Sequence, residues 1–216
     1  MLRKLLSTMA AALFVAGPAI AQDTAEPAEA PVSVPAEENI LHLDLSTGGR
    51  VTIQLFPAIA PNHVERVKTL ARQGFYDGII FHRVIDGFMA QTGDPLGTGA
   101  GGSELPDLKA EFNKFPHLRG VVSMARAQSE DSANSQFFIV FYPRFSLDNN
   151  YTAFGRVTAG MQYVDSIQRG EPPQNPSRIL QASVAIDGKG PPAPSSQSGT
   201  AEQEITIDDL NAPINP

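Results

Sequence analysis

An arginine followed closely by apolar side chains and an amide is the most distinctive chemical feature of this chain. In residues 81–94, Arg83 precedes Phe88, Met89 and Gln91. Taken singly, the arginine is more often a surface residue and the apolar pair more often part of a core. Taken together, they offer a permanently charged hydrogen-bond donor beside apolar surface.

The usual patterns of hydrolytic and phosphoryl-transfer sites are missing from the sequence. No serine lies in a Gly-x-Ser-x-Gly elbow, the four histidines have no metal-ligand spacing, and the chain contains no cysteine. The glycine-rich run at 97–102 is not followed by Gly-Lys-Ser/Thr, so it is interpreted as a flexible surface loop and not as a phosphate-binding loop. We therefore expect no metal and no cofactor.

Two further runs extend the pattern that begins at Arg83. Residues 123–139 contain Ser-Met-Ala-Arg-Ala and then Asn-Ser-Gln-Phe-Phe-Ile, and residues 147–155 read Leu-Asp-Asn-Asn-Tyr-Thr-Ala-Phe-Gly. With residues 81–94 they resemble, in matching order, the three signature stretches of the cyclophilins, which are peptidyl-prolyl cis-trans isomerases. The resemblance spans about residues 39–187. It implies a mainly β fold: an eight-stranded antiparallel closed barrel capped by two α-helices, with the active surface outside the barrel.

The resemblance also implies a role for each matching residue. Arg83 would be the catalytic residue, and an apolar pocket for the proline ring would be formed by Phe88, Met89 and Phe138. Six further residues would hold the peptide, orient the arginine or close the rim of the pocket: Gln91, Ala125, Arg126, Gln136, Leu147 and Tyr151. His82, beside the arginine, would either orient a neighbour or satisfy local hydrogen bonds.

These residue types fit the chemistry of proline isomerisation. Rotation about an X-Pro bond is opposed by a barrier of roughly 18–20 kcal/mol because the amide is conjugated. In the twisted transition state, electron density returns to the proline nitrogen, so a guanidinium aimed at that atom binds the transition state more strongly than the ground state. No bond has to be cleaved.

Two positions depart from the family pattern. Many cyclophilins have a tryptophan, and bacterial ones often a phenylalanine, where this chain has Ser146, and the chain contains no tryptophan. We therefore expect weak cyclosporin binding at most. Arg126 replaces the commoner asparagine, at a position where the family uses chiefly the backbone.

Short strands and two helices must position these residues. Apolar and polar residues alternate over 41–45 and 51–55 around Gly48-Gly49, which predicts a β-hairpin with one buried face. One helix is predicted from Pro61 to a stop at Gly74, and a second over 160–169. Short apolar runs predict further strands at 79–84, 121–125, 137–141, 153–157 and 179–186. Hydrophobic pattern alone leaves open whether they form a barrel or a sandwich.

The ends of the chain differ in composition from the middle. Residues 1–21 combine a basic start, a short apolar stretch and an Ala-Ile-Ala site, which predicts a cleaved signal peptide, export to the periplasm and no stable membrane insertion afterwards. Residues 22–38, rich in Ala, Glu and Pro, are predicted to be a disordered linker, and residues 188–216 a disordered acidic tail. Residues 39–187 are predicted to form the isomerase domain, which is nearly neutral and offers no basic surface for nucleic acid.

The sequence favours an enzyme that accelerates rotation about X-Pro bonds in exported proteins and so assists their folding. Its expected partners are Pro-containing unfolded or partly folded polypeptides, and we expect a monomer. Two other functions stay open. The altered rim at Ser146 would suit a module that binds Pro-containing segments without much turnover, and the unusual tails would suit an anchored scaffold.

Overall fold

The computed structural model describes residues 36–193, which form eight strands and two α-helices. Helix α1 is Pro61–Arg72 and helix α2 is Met161–Asp165. The strands β1 to β8 are, in order, Ile40–Leu45, Gly49–Leu55, Arg83–Ile85, Met89–Thr92, Val121–Met124, Phe137–Val140, Ala153–Ala159 and Ile179–Val184. This content confirms the mainly β composition with two helices that the resemblance implied.

Strands β1 and β2 form the hairpin predicted from the alternating pattern. Leu43 faces Val51 and Leu41 faces Ile53 across the antiparallel pair, and all four side chains are fully buried. The turn passes through Gly48 at φ +105°, a backbone conformation that residues other than glycine rarely adopt. The hairpin therefore has one face in the core, as expected when apolar side chains recur at every second residue of a strand.

The eight strands form one antiparallel sheet in the order β3-β4-β6-β5-β7-β2-β1-β8, curled into a half-barrel. Within residues 36–193 the edge strands β3 and β8 share no ladder, so the predicted closed barrel is not confirmed. The free edge of β3 is instead taken by Gly170, which exchanges two backbone hydrogen bonds with Val84, at 2.8 and 2.9 Å. The gap is bridged just before the two strands, where the Phe81 N–H donates to the Ser177 oxygen at 2.8 Å.

The two faces of the sheet serve different purposes. Successive side chains of a strand point to opposite faces, and on β6 Phe137 joins the large interior core while Phe138 joins a smaller cluster with Met89. Helix α1 covers the interior core with Val64 and Val67, which are at most 2% exposed. The smaller cluster leaves Phe138 on the face away from that core, where a ligand can reach it.

Helix α2 is shorter than the sequence predicted. The predicted segment was 160–169, but the helix ends at Asp165. Arg169 donates from Nη1 to the backbone oxygens of Asp165 and Ile167, at 2.7 and 2.6 Å, and so satisfies carbonyls that a longer helix would have paired internally. Ile167 is still buried, so the predicted apolar face is kept beyond the end of the helix.

The segment before β1 is attached to helix α1. Ala36–Asn39 forms a turn of 3-10 helix, and the Glu38 carboxylate pairs with Lys68 and, at 3.0 Å, with Arg72. The last residues of the predicted linker are therefore bound to the domain. The predicted signal peptide, most of the linker and the tail after residue 193 lie outside the described residues. Among residues 36–193, no helix has the length and apolarity needed to cross a membrane.

Candidate active site

A cavity of ≈ 260 Å³ lies beside strands β3, β4 and β6, on the face of the sheet away from the main core. It is lined by Arg83, Phe88, Met89, Gln91, Ala125, Arg126, Phe138, Leu147 and Tyr151. These are the predicted catalytic arginine and every predicted contact residue except Gln136. Gln136 lines a neighbouring cavity of ≈ 540 Å³. The structure thus brings residues from three separate sequence runs into one place.

Apolar side chains form the floor and much of the wall of the smaller cavity. Met89 is 1% exposed and Phe138 is 5% exposed, while Phe88, Leu147 and Tyr151 are half-buried around them. The Tyr151 ring meets Phe138 edge to face, with the ring centroids 5.9 Å apart. A surface of this kind suits a compact apolar ring, because it removes that ring from water without offering hydrogen bonds to it.

A buried hydrogen-bonded group supports this floor from below. His117 stacks on Phe138 with a centroid distance of 6.5 Å. Its Nδ1 lies 2.8 Å from the Asp148 carboxylate and its Nε2 lies 3.1 Å from the Ser123 hydroxyl. The order Ser-His-Asp matches a hydrolytic triad, but both Ser123 and His117 are fully buried and no substrate can reach the hydroxyl. The group joins the Phe145–Leu147 turn to strand β5 and so holds Leu147 at the rim.

Arg83 reaches the edge of the cavity from strand β3. Its residue partner across the antiparallel pair is Gln91 on β4, so both side chains lie on the same face. The Arg83 Nε donates to the Glu171 carboxylate at 2.7 Å, and Nη1 lies 3.5 Å from the Gln91 side-chain oxygen. The side chain of Arg83 is 43% exposed, so its remaining N–H groups can reach a bound molecule.

Arg83 is followed by a chain of hydrogen bonds through the side-chain amides of Gln91 and Gln136. Gln91 donates from Nε2 to the Gln136 side-chain oxygen at 2.8 Å. Gln136 in turn donates from Nε2 to the backbone oxygens of Gly99 and Gly101, at 3.0 and 2.8 Å. Each amide thus has both a donor and an acceptor partner, which fixes its orientation and leaves the Gln91 oxygen facing Arg83.

Asp94 anchors the glycine-rich loop at the end of this chain. Its carboxylate accepts hydrogen bonds from the backbone N–H groups of Leu96, Thr98 and Gly99, at 2.8, 2.8 and 2.6 Å. Burial alone would raise the pKa of Asp94, but these N–H groups stabilise the carboxylate and the pKa is lowered overall. The loop predicted to be flexible is therefore pinned around a charged group, and its carbonyl oxygens can position Gln136.

His82 is buried beside the strand that carries Arg83. It is 5% exposed, and neither ring nitrogen has a hydrogen-bond partner among residues 36–193. Burial lowers the pKa of His82, with the Asp94 carboxylate opposing the effect in part. The ring is therefore a neutral packing element between the arginine strand and the glycine-rich loop, and it does not orient Arg83 through a hydrogen bond.

Phe88, which lines the cavity, is contacted by Arg144, a residue that the sequence did not single out. Ser146 is exposed, and Phe145 beside it is 63% exposed and lines neither cavity. The Arg144 guanidinium lies over the Phe88 ring, 5.0 Å from its centroid. A cation in this position holds the ring by its electrostatic attraction to the aromatic face.

Comparisons with known proteins agree with this geometry. The family model described as "Cyclophilin type peptidyl-prolyl cis-trans isomerase/CLD" matches residues 42–184, which is more than half of the chain. A "Probable peptidyl-prolyl cis-trans isomerase" of Brucella suis biovar 1 is 44% identical over 199 residues, covering 85% of this chain and 97% of the relative.

Solved structures show the same likeness in three dimensions. Cyclophilin AquaCyp293 from Hirschia baltica superposes with a TM-score of 0.65 at 30% identity, covering 73% of this chain and 76% of that one. A cyclophilin-type isomerase of Cryptosporidium parvum, crystallised in the presence of the dipeptide Ala-Pro, superposes with a TM-score of 0.63 at 26% identity, covering 67% of this chain and 98% of that one.

The environment of His82 leads to a testable pKa. In an NMR titration of the folded chain, the His82 ring should titrate below the ordinary value of 6.5, because burial disfavours the charged form. Between the folded and the unfolded pKa, His82 therefore binds more protons in the unfolded chain than in the folded one. Well above pH 6.5, the titration of His82 leaves the free energy of unfolding unchanged. As the pH falls from 6.5 toward the folded pKa of His82, the free energy of unfolding decreases. His82→Gln identifies the resonance and should remove this part of the pH dependence. A measured pKa of 6.5 or above contradicts the buried neutral ring.

Proposed function

Because this chain belongs to the cyclophilin-type peptidyl-prolyl cis-trans isomerases, we propose that the cavity beside Arg83 is its catalytic centre. The chain is a peptidyl-prolyl isomerase, and assistance to protein folding follows from its family. The observation that supports the assignment is the placing of a partly exposed guanidinium beside an apolar floor formed by Met89 and Phe138. The proline ring of a substrate would rest on Met89 and Phe138, with Phe88, Leu147 and Tyr151 around it.

The binding of proline is supported by chemistry and by a relative. A pyrrolidine ring is apolar and carries no N–H donor, so a floor without hydrogen-bonding groups costs it nothing. The related structure from Cryptosporidium parvum was crystallised in the presence of an Ala-Pro dipeptide. A proline held by its ring leaves the preceding carbonyl free to swing, and this swing is the motion that isomerisation requires.

Arg83 supplies the catalytic contact in this proposal. A guanidinium has five N–H groups, and Arg83 donates one to Glu171 and one to Gln91. The others remain for a ligand in the cavity that Arg83 lines. As the amide twists, its nitrogen regains a lone pair and becomes a better acceptor, so a hydrogen bond from Arg83 strengthens at the transition state.

The neighbours of Arg83 act by orienting it. The pair with Glu171 is about half exposed, and an ion pair of this type contributes at most about 1 kcal/mol to stability. Its importance lies in direction: it holds Nε on one side, so that the Nη groups point the other way. Gln91, whose orientation is fixed by Gln136, restricts the movement of the guanidinium on the side opposite Glu171. An arginine held at both ends loses less conformational freedom when substrate binds.

The required rate enhancement is within reach of such a site. Uncatalysed isomerisation takes tens to hundreds of seconds. A turnover of the order of 10² per second needs about 5–7 kcal/mol of barrier lowering, at 1.36 kcal/mol per tenfold change. Loss of a single preorganised donor typically costs about 10²–10³ in rate, or about 2.7–4 kcal/mol. The remainder falls to desolvation and to positioning of the ring.

The proposal extends to where the chain works and to what it binds. The basic start, the short apolar stretch and the Ala-Ile-Ala site in residues 1–21 support export and cleavage before Gln22. The clients would then be exported Pro-containing polypeptides in the periplasm, bound by a monomer. Ser146, which is exposed where many family members carry an aromatic residue, supports weak binding of cyclosporin at most.

Removal of the Arg83 guanidinium should abolish most of the activity. Arg83→Ala should lower kcat/KM about 10²–10³-fold on an Ala-Pro peptide, measured by exchange NMR, because the donor to the proline nitrogen is lost. Glu171→Gln serves as the matched control: it keeps the guanidinium but loosens its orientation, and should cost about tenfold or less. Circular dichroism should show the same fold in both variants. Full activity in Arg83→Ala, or peptide binding by the wild type without faster exchange, would contradict the proposal.

Export can be tested on the whole chain. Expressed in a Gram-negative host, the chain should be recovered from the periplasm with a mass that corresponds to a start at Gln22. Leu13→Arg, which interrupts the apolar stretch, should keep the chain in the cytoplasm at full length. A periplasmic product that still begins at Met1, or an uncleaved cytoplasmic wild type, would show that residues 1–21 are not a cleaved signal.

A further inference from the structure

The smaller cavity continues into the larger one. The two share Gln91, Ala125 and Arg126 along their common border. A peptide with its proline ring in the smaller cavity therefore has one open path into the ≈ 540 Å³ space next to it. The border residues are the ones that a passing peptide has to touch.

The position of Arg83 decides which end of the peptide takes this path. If Arg83 donates to the proline nitrogen, that nitrogen faces the side of the cavity where Arg83 and Gln91 lie. The nitrogen joins the proline to the residue before it, so the preceding residue lies on the same side. Since Gln91 also lines the larger cavity, the residues before the proline cross the border toward Arg126.

Arg126 brings a positive charge to this border, and no salt bridge within the described residues involves it. Its guanidinium lies over the Tyr151 ring at 4.9 Å and the Phe112 ring at 5.6 Å. These contacts hold the cation in place without reducing its charge.

The hydrogen bonds of Arg126 lead to the same conclusion. All four are donated to backbone oxygens: two to Asn150, at 3.4 and 3.3 Å, and one each to Ala127 and Gln128, at 3.1 and 3.3 Å. A guanidinium has five N–H groups, so one is left over, on Nη2. A fixed cation with a spare donor is well suited to receive a carboxylate.

The acidic residue that lines the larger cavity does not reverse this preference. Asp107 lines the larger cavity but not the smaller one, and its carboxylate accepts a hydrogen bond from the Asn134 amide at 2.9 Å. Arg126 lines both. The charge that a residue just before the proline meets first is therefore positive.

We propose that Arg126 is a specificity residue that makes the site prefer substrates with an acidic side chain at one of the two positions before the proline. This inference rests on the proposed function of the cavity and names the substrate class for it. The opposing interpretation gives Arg126 a purely structural role, in which its four hydrogen bonds brace the loop that follows β5. That role predicts no dependence on the charge of the peptide.

The test compares peptides that differ only in charge. Two pairs of capped tetrapeptides are used, Ala-Glu-Pro-Phe with Ala-Gln-Pro-Phe and Glu-Ala-Pro-Phe with Gln-Ala-Pro-Phe, and kcat/KM is measured by exchange NMR at pH 7. In at least one pair, the wild type should favour the Glu peptide by about two- to fivefold, the range of a partly exposed ion pair. The preference should shrink from about 0.05 M to about 0.5 M salt, because salt screens the charges.

Three variants separate a charge effect from a structural one. Arg126→Gln should bring the Glu-to-Gln ratio close to one, and Arg126→Lys, which keeps the charge, should retain the preference. Arg156→Gln is the matched control: Arg156 is exposed on β7, lines neither cavity, and its loss changes the net charge equally. The Glu-to-Gln ratio of kcat/KM in Arg156→Gln should equal that of the wild type.

The outcomes distinguish the inference from the function beneath it. A wild type that accelerates both members of each pair equally, or an Arg126→Gln variant with an unchanged ratio, overturns the specificity role and leaves the isomerase site standing. A wild type that accelerates none of the four peptides overturns the assignment of the cavity as catalytic, and the inference with it.

Discussion

The direction of one guanidinium is the constraint on which the site depends. Arg83 lies opposite Gln91 across β3 and β4, and Gln91 lies opposite Phe138 across β4 and β6. The register of three strands thus sets the donor, the amide that orients it and the apolar floor in one row. A slip of one residue would turn every one of these side chains to the other face of the sheet. The Asp94-bound loop then fixes the far end of the amide chain through Gln136.

The same pleating separates stability from function. Phe137 fills the interior core, while Phe138, its neighbour in the chain, forms the floor of the cavity on the other face. The proposed catalytic surface therefore needs no hollow in the main core, which can remain close-packed. His117 connects the two roles. It is fully buried, yet it stacks on Phe138 and holds, through Asp148, the turn that carries Leu147.

Local patterns predicted the parts of the fold that local forces determine, including the hairpin around Gly48 and the helix that begins at Pro61. The resemblance supplied the residues of the cavity, because its motifs are contiguous in sequence. Partners at long sequence separation were missed: Glu171 is 88 residues from Arg83, and Asp148 is 31 from His117. No periodicity encodes such pairs. Barrel closure, which the resemblance implied, was not confirmed, because Gly170 takes the edge of β3.

In the proposed mechanism, the Arg83 guanidinium meets the nitrogen of a proline that rests on Met89 and Phe138. A crystal structure of the chain with a bound Ala-Pro peptide tests it most directly. The ring should contact both apolar side chains, and an Arg83 Nη should lie within about 3.5 Å of the proline nitrogen, the outer range of a hydrogen bond. A proline bound elsewhere, or an Arg83 turned toward solvent while the ring occupies the cavity, would contradict it.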